Sequence, residues 1–341
     1  MIVDRLELAD FRNIVQLAWS PSPGLNLVLG PNAQGKTSLL ESVYVLATTK
    51  SHRTRKDSEW VRFGAPACRI VASVVKGDPP DPVQLEVAVA ASGAAMEGDR
   101  KRVRVDHVSV PRTTDLLGHL VAVLFSSTDI DIVRGEPGER RRYLDFAIAQ
   151  TSPRYALALG AYRRTLEQRN RLLKDLRRGA GGDDSLGAWD AALVTHGARM
   201  IERRHHFVRS LAPHAARIHE QLTDGAETLV VGYRPSVSVD DGADAARISE
   251  AFLEQLARLS REEKQRGSTL AGPQRDDLSL CVGKEAGAAV DVRTYGSQGQ
   301  QRTAALSLRL AERAAAEGET GDTPVVLLDD VLSDLDEYRR S

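Results

Sequence analysis

Two short stretches of this chain carry the residue types that chemistry on a phosphate needs. The first is Gly30-Pro31-Asn32-Ala33-Gln34-Gly35-Lys36-Thr37, which has the spacing G-x-x-x-x-G-K-[ST]. Gly30 and Gly35 let the backbone curl without a Cβ clash, so that successive N–H groups converge on a polyphosphate at the positive end of a helix starting near Lys36. Asn32 and Ser38 complete this phosphate-facing set. Lys36 would reach the β- and γ-phosphates, and the Thr37 hydroxyl would bind Mg²⁺. The second stretch is Val325-Val326-Leu327-Leu328-Asp329-Asp330. Four apolar residues deliver a carboxylate to the C-terminal edge of a sheet, where Asp329 would complete the metal coordination opposite Thr37 and Asp330 could orient or deprotonate water. An apolar strand taken alone often ends in an Asp that only caps a turn; the phosphate loop upstream favours the metal role.

The elements that must hold these residues follow from patterning. Residues 25–29, Leu-Asn-Leu-Val-Leu, read as a buried strand feeding the loop, and 38–46 as the helix leaving it. Val3, Leu6, Leu8 and Phe11 alternate with charged residues in a half-buried strand. Three β-rich runs, 68–75, 83–90 and 101–106, separated by polar glycine-bearing turns, predict an antiparallel sheet, and 121–125 a buried strand. From Glu136 the pattern is helical, with Pro137 suited to a first turn. One helix carries Tyr155, Leu159, Tyr162, Leu166, Leu173 and Leu176 and stops at Arg177-Arg178-Gly179-Ala180-Gly181-Gly182; the return helix repeats Leu186, Leu193, Met200 and Phe207 at sevens. This predicts an antiparallel helical hairpin too short for an extended coiled coil. A strand over 229–233, a helix over 245–266, a strand over 278–282 and a helix through Leu306, Leu308 and Leu310 complete the reading. The expected organisation is an N-terminal head over 1–125, a helical insertion over 126–270 and a second head segment over 271–341.

Bulk charge narrows the partners. With 46 Lys and Arg against 47 Asp and Glu, any nucleic-acid binding must come from local patches. Two are present. Residues 50–56 form a basic loop containing Arg53, Arg55 and Lys56. The helical arms carry Arg163, Arg164, Arg169, Arg171, Lys174, Arg177 and Arg178 on one side and Arg199, Arg203, Arg204 and Arg209 on the other, with few acids, which suits a duplex backbone. Arg140 and Arg141 open a further basic segment. Aromatics make up only 5% of the chain, against a base-stacking platform. Cys68 and Cys281 fit no metal or redox spacing and read as reduced residues of a cytoplasmic protein. The charged N-terminus excludes a secretory signal, and no apolar run approaches the roughly 18 residues of a membrane span.

Ser297-Gln298-Gly299-Gln300, opening a helix shortly before the Asp329 strand, resembles the signature motif of ABC-type ATPases, and Ser333-Asp334-Leu335-Asp336 resembles their D-loop. The chain as a whole resembles the RecF family of bacterial recombinational-repair ATPases. The resemblance is carried by Leu8-Ala9-Asp10-Phe11-Arg12-Asn13, the phosphate loop, Ser51-His52-Arg53-Thr54, Gly135-Glu136-Pro137 through Arg140-Arg141-Arg142-Tyr143-Leu144-Asp145, Gly272-Pro273-Gln274-Arg275-Asp276-Asp277, and the segments 295–302 and 327–336. It implies an α/β ABC-type ATPase head, a mixed sheet with a P-loop core plus an antiparallel β subdomain, with an inserted α-helical lobe. It further implies ATP and Mg²⁺ as cofactors, and an ATP-dependent homodimer in which Ser297, Gly299 and Gln300 of one subunit meet nucleotide held by the other. Binding to double-stranded DNA and to single-strand/double-strand junctions, and cooperation with RecR and RecO in loading RecA in the nucleoid, complete the expectation. Candidate DNA contacts are Arg53, Arg55, Lys56, Arg140, Arg141, Arg164, Arg171 and Lys174. Asp330 stands where most ABC ATPases use Glu, which implies slow hydrolysis; related heads continue beyond the D-loop to a switch residue that this sequence does not supply, and no glutamine marks the loop near Ser126-Ser127-Thr128-Asp129. Rival readings are the ATPase subunit of a membrane transporter, another SMC-like repair ATPase, and a scaffold with an inactive ATPase site.

Overall fold

The computed structural model describes residues 1–77, 79–93, 101–179 and 186–330. The D-loop segment 333–336 lies outside them. In chain order the elements are β1 (Ile2–Phe11), β2 (Ile14–Trp19), α1 (Lys36–Thr48), β3 (Ala67–Lys76), β4 (Asp81–Ala90), β5 (Lys101–Val105), β6 (Val108–Ser109), β7 (Ala122–Ser126), α2 (Ile130–Arg134), α3 (Pro137–Thr151), α4 (Pro153–Arg177), α5 (Leu186–Leu222), β8 (Thr228–Arg234), α6 (Ala245–Arg266), β9 (Asp277–Gly283), β10 (Val290–Asp291), α7 (Val292–Tyr295), α8 (Gln298–Thr320) and β11 (Val325–Asp329).

They form two compact units, one of residues 1–128, 149–153 and 312–341, the other of 129–148 and 154–311. The second unit takes in 271–311, which the sequence reading gave to the head. The cause is strand pairing: β9 lies between β8 and β10, with Leu229 opposite Val282 and Val290 opposite Val282 from the other side, so the chain beyond residue 270 is tied back to the lobe.

In the first unit the antiparallel sheet has the order β2-β1-β3-β4-β5-β6, and β7 pairs in parallel with β11, Ala122 opposite Val325 through Ser126 opposite Asp329. Alternating residues Leu6, Leu8, Ile70, Leu85 and Val87 from the large sheet, Val43 and Leu46 from α1, and Leu124 and Leu327 from the parallel pair share one buried core. The run 25–29 departs from the sequence expectation. It pairs with no strand among the described residues, and Leu25, Leu27 and Leu29 are 90%, 76% and 79% exposed. Apolar character alone cannot make a strand, because a ladder needs a neighbour to pair with.

In the second unit α4 and α5 run antiparallel, as expected of a helical hairpin. Tyr155 meets Arg204, Tyr162 packs at Gly197 and Arg169 meets Asp190, each pair seven residues from the next and in opposite directions along the two helices. Gly197 is required there, because a Cβ would stand 2.7 Å from the Phe252 ring of α6 and 3.0 Å from Tyr162. Leu186, Leu193, Met200 and Phe207 are all buried.

Candidate nucleotide-binding site

The phosphate loop is a backbone device held in shape by one neighbouring side chain. Gly35, at φ 98° and ψ 10°, caps α1 with no side-chain hydrogen bond, and the first helical bond is Leu39 N–H to the Gly35 carbonyl at 2.9 Å. The N–H groups of Lys36, Thr37 and Ser38 therefore precede the helical ladder and point out of the N-terminus, where an anion is favoured. Asn13, just past β1, braces the curl. Its amide donates to the Ala33 carbonyl at 2.9 Å, where Ala33 is itself in the left-handed region at φ 63°, and its Oδ1 accepts the Ser38 hydroxyl at 3.0 Å. A Cβ on Gly35 would crowd Asn13 Oδ1 at 3.1 Å, so this glycine serves both conformation and close approach. The Ser38 hydroxyl is thus engaged with Asn13, which leaves its backbone N–H as the group available to a phosphate. Asn32 and Gly30 are exposed on the loop, and the Lys36 ammonium donates to the Gly30 and Pro31 carbonyls at 2.6 and 2.9 Å.

The parallel pairing of β11 with β7 carries Asp329 to the foot of this loop, where Oδ1 accepts the Thr37 hydroxyl at 3.0 Å. These are two hard oxygen donors at the separation of adjacent ligands around an octahedral cation with metal–oxygen distances of about 2.1 Å, so the pair fits Mg²⁺. A cation there would neutralise charge on the phosphate oxygens. Asp330, exposed and at φ 56°, follows immediately.

Behind the loop, Glu41 of α1 is fully buried and receives Arg12 at 2.5 Å, Ser51 at 2.5 Å and Arg53 at 3.1 Å. Burial alone would push its carboxyl up; the hydrogen bonds from Arg12 and Ser51 and the charges of Arg12 and Arg53 outweigh it and hold the carboxyl below its usual value. The segment Ser51-His52-Arg53-Thr54 is therefore pinned to α1, with Thr54 accepting from Arg12 at 3.1 Å. Sequence reading missed Asn13 and Glu41 as supports. The available signals were an Asn closing Phe11-Arg12-Asn13 and an acid on the apolar face of α1.

The signature-like turn is built differently. Ser297 caps α8 through a reciprocal pair: its N–H donates to Gln300 Oε1 at 2.7 Å, and Gln300 N–H donates to Ser297 Oγ at 3.2 Å. Gln300 Nε2 then donates to Glu227 at 2.7 Å. The Gln300 side chain is thereby committed to the turn rather than presented to a ligand. Ser297 and Gly299 are exposed, and because Ser297 Oγ accepts a bond, its own proton remains to donate outward. A Cβ on Gly296 would lie 2.5 Å from the Val292 carbonyl, which fixes glycine at the entry to the turn.

The profile of the RecF/RecN/SMC N-terminal domain matches residues 2–341. DNA replication and repair proteins RecF of Halalkalibacterium halodurans and Roseiflexus castenholzii are 40% and 43% identical to the chain over its whole length, covering 88% and 89% of those proteins. The chain belongs to the RecF family. A solved structure of the recombination mediator RecF with ATP superposes with a TM-score of 0.89 at 32% identity, covering 99% of this chain and 87% of that one. The RecF family is one of DNA replication and repair, and the ABC-type head with a helical lobe expected from the sequence is the observed fold.

Among the arginines that charge patterning and the RecF resemblance together offered for DNA contact, several are structural. Arg140 is 4% exposed; it makes a bidentate pair with Asp277 at 2.7 and 2.9 Å and donates to the Gly135 carbonyl at 2.9 Å, so it is removed from the DNA-facing set. Arg141 donates to the Asp276 carbonyl at 2.8 Å, and burial followed by the charge of Arg204 lowers its pKa. On the helical arms, Arg169 is fully buried against Glu263 and Asp190 at 2.7 and 2.6 Å. Arg204 is buried between Asp145 and Asp276 at 2.8 and 3.1 Å, with Tyr155 accepting from it at 2.9 Å. Helical periodicity puts a residue on a face but does not reveal an acid waiting across it. Arg55, Lys56, Arg164, Arg171 and Lys174 are exposed, as is Arg53, although one edge of its guanidinium is taken by Glu41.

Proposed function

We propose that the protein is an ATP-gated, dimerising clamp on double-stranded DNA, acting at gap junctions in recombinational repair, in a pathway with RecR and RecO that loads RecA. The observation that carries the reading is the Thr37–Asp329 contact at the foot of the phosphate loop, which brings together two hard oxygen donors from residues 292 positions apart and so supports a Mg²⁺-ATP pocket. Lys36 would bind the β- and γ-phosphates, Thr37 and Asp329 the metal, and Asp330 would position the attacking water. The short Asp330 side chain supports slow turnover. Ser297 and Gly299 of a second copy would complete the γ-phosphate site, so that ATP binding and association are linked and hydrolysis releases the pair.

The relative solved with ATP and named for the RecFOR pathway supports ATP as the nucleotide and RecR and RecO as partners. Exposed Arg164, Arg171 and Lys174 on α4 and Arg199 on α5 support contact with a duplex backbone. Among the described residues no helix is long and apolar enough to cross a membrane, in keeping with a cytoplasmic, nucleoid-associated role. Sedimentation velocity with Mg²⁺-ATP and a gapped duplex tests the proposal. Wild-type protein should dimerise with ATP and Asp329→Asn should not; if about five phosphates are contacted, log K should fall against log salt with a slope near −4 to −5. Dimerisation indifferent to ATP, or DNA binding indifferent to salt, would refute it.

A further inference from the structure

Gln300 is tied to more than its own helix. Glu227, which accepts from Gln300 Nε2 through Oε1, turns its other oxygen to His219 Nε2 at 3.5 Å, and His219 Nδ1 lies 3.2 Å from the Ser307 hydroxyl on α8. His219 is fully buried near the end of α5, and Glu227 follows the turn by which α5 reverses into β8. That turn is itself tied down: Thr223 Oγ1 donates to the His219 carbonyl at 2.9 Å and to the Glu227 carbonyl at 3.3 Å. Hydrogen bonds run from Ser297 through Gln300 to Glu227 and, separately, between His219 and Ser307, and the 3.5 Å approach of Glu227 to His219, which is not a hydrogen bond, lies between the two sets inside the second unit. Together these contacts join the signature turn to α5, a 37-residue helix whose far half carries the exposed Arg199.

We infer that Glu227 is the positioning residue of the signature turn. It holds the Gln300 amide in the orientation that caps Ser297, and the Thr223 hydroxyl, which reaches the His219 and Glu227 carbonyls, ties its turn to the end of α5. A capping box without such an anchor leaves the Gln side chain free to rotate among its rotamers and release the Ser297 N–H. With Glu227 in place, the outward direction of the Ser297 hydroxyl and Gly299 N–H is fixed from the turn that ends α5. This inference rests on the proposed role of the signature turn in ATP-dependent association, but its primary readout does not.

Hydrogen exchange of the 297–301 amides, followed by mass spectrometry on the full chain, is compared for wild type, Glu227→Ala, Glu227→Gln and Gln300→Ala. Glu227→Ala should speed exchange about tenfold, the size of a lost cap, with Glu227→Gln staying within about twofold of wild type because its amide oxygen still accepts from Gln300. The double variant with Gln300→Ala should exchange no faster than Gln300→Ala alone. Unchanged exchange in Glu227→Ala, or equal acceleration in Glu227→Gln, overturns the inference whether or not the protein dimerises. Where wild type does associate with ATP, Glu227→Ala should weaken association by a similar factor while binding of a fluorescent ATP analogue to the monomer is unchanged; a lowered monomer affinity would indicate general damage and contradict a positioning role.

Discussion

The phosphate loop and the signature turn are both glycine-containing bends ahead of a helix, yet their helix ends are finished in opposite ways. At α1 the capping residue is Gly35, with no side chain to offer, and the first-turn donors are left for a ligand. At α8 Ser297 and Gln300 satisfy each other, and Glu227 secures the second of them. The first turn is organised to receive an anion. The second is already complete and can only present groups to something outside it. In the proposed dimer the first helix supplies unfilled donors and the second a hydroxyl of fixed direction.

This contrast predicts a division of mutational effects. Lys36→Ala should lower monomer affinity for Mg²⁺-ATP about a hundredfold, from the loss of charge-assisted bonds worth ~2–3 kcal/mol, as read by titration calorimetry. Ser297→Arg should leave that affinity within about twofold and instead abolish ATP-dependent association; a matching loss of monomer affinity would erase the distinction between the two turns. Asn13→Ala should cost roughly tenfold in ATP affinity, since the curl loses its bonds to the Ala33 carbonyl and the Ser38 hydroxyl. The smallest effect concerns Glu41. Its folded pKa lies below the usual 4.5, so the carboxylate stabilises the fold above that pH and the contribution is lost as pH falls through the folded value. Chemical denaturation of Glu41→Gln should therefore show a shallower loss of stability below pH 4.5 than wild type.

Legibility from sequence followed the same divide. The phosphate loop, the Asp329 strand and the signature turn were readable because their spacing is dictated by local backbone geometry. The strands β3, β4, β8 and β9 were readable from β-rich runs between turns, β7 from an unbroken apolar run, and the hairpin helices from period seven. What could not be read depends on partners distant in the chain. Residues 25–29 have strand composition but no described neighbour to pair with. Arg140, Arg169 and Arg204 look like Arg164 and Arg171 in sequence, and only the packing of Asp277, Glu263, Asp145 and Asp276 against them shows that they lock the lobe together. Gln300 stands at a ligand-contact position of the motif, and its hydrogen bond to Glu227, 73 residues away, has no signal in the sequence.

In the proposed dimer the two turns act on one nucleotide from two copies of the chain. Mixing Lys36→Ala protein with Ser297→Arg protein tests this most directly, because each is defective alone while a mixed dimer contains one intact composite site. The mixture should regain ATP-dependent association and turnover that neither variant shows by itself. A mixture no more active than its components would contradict it.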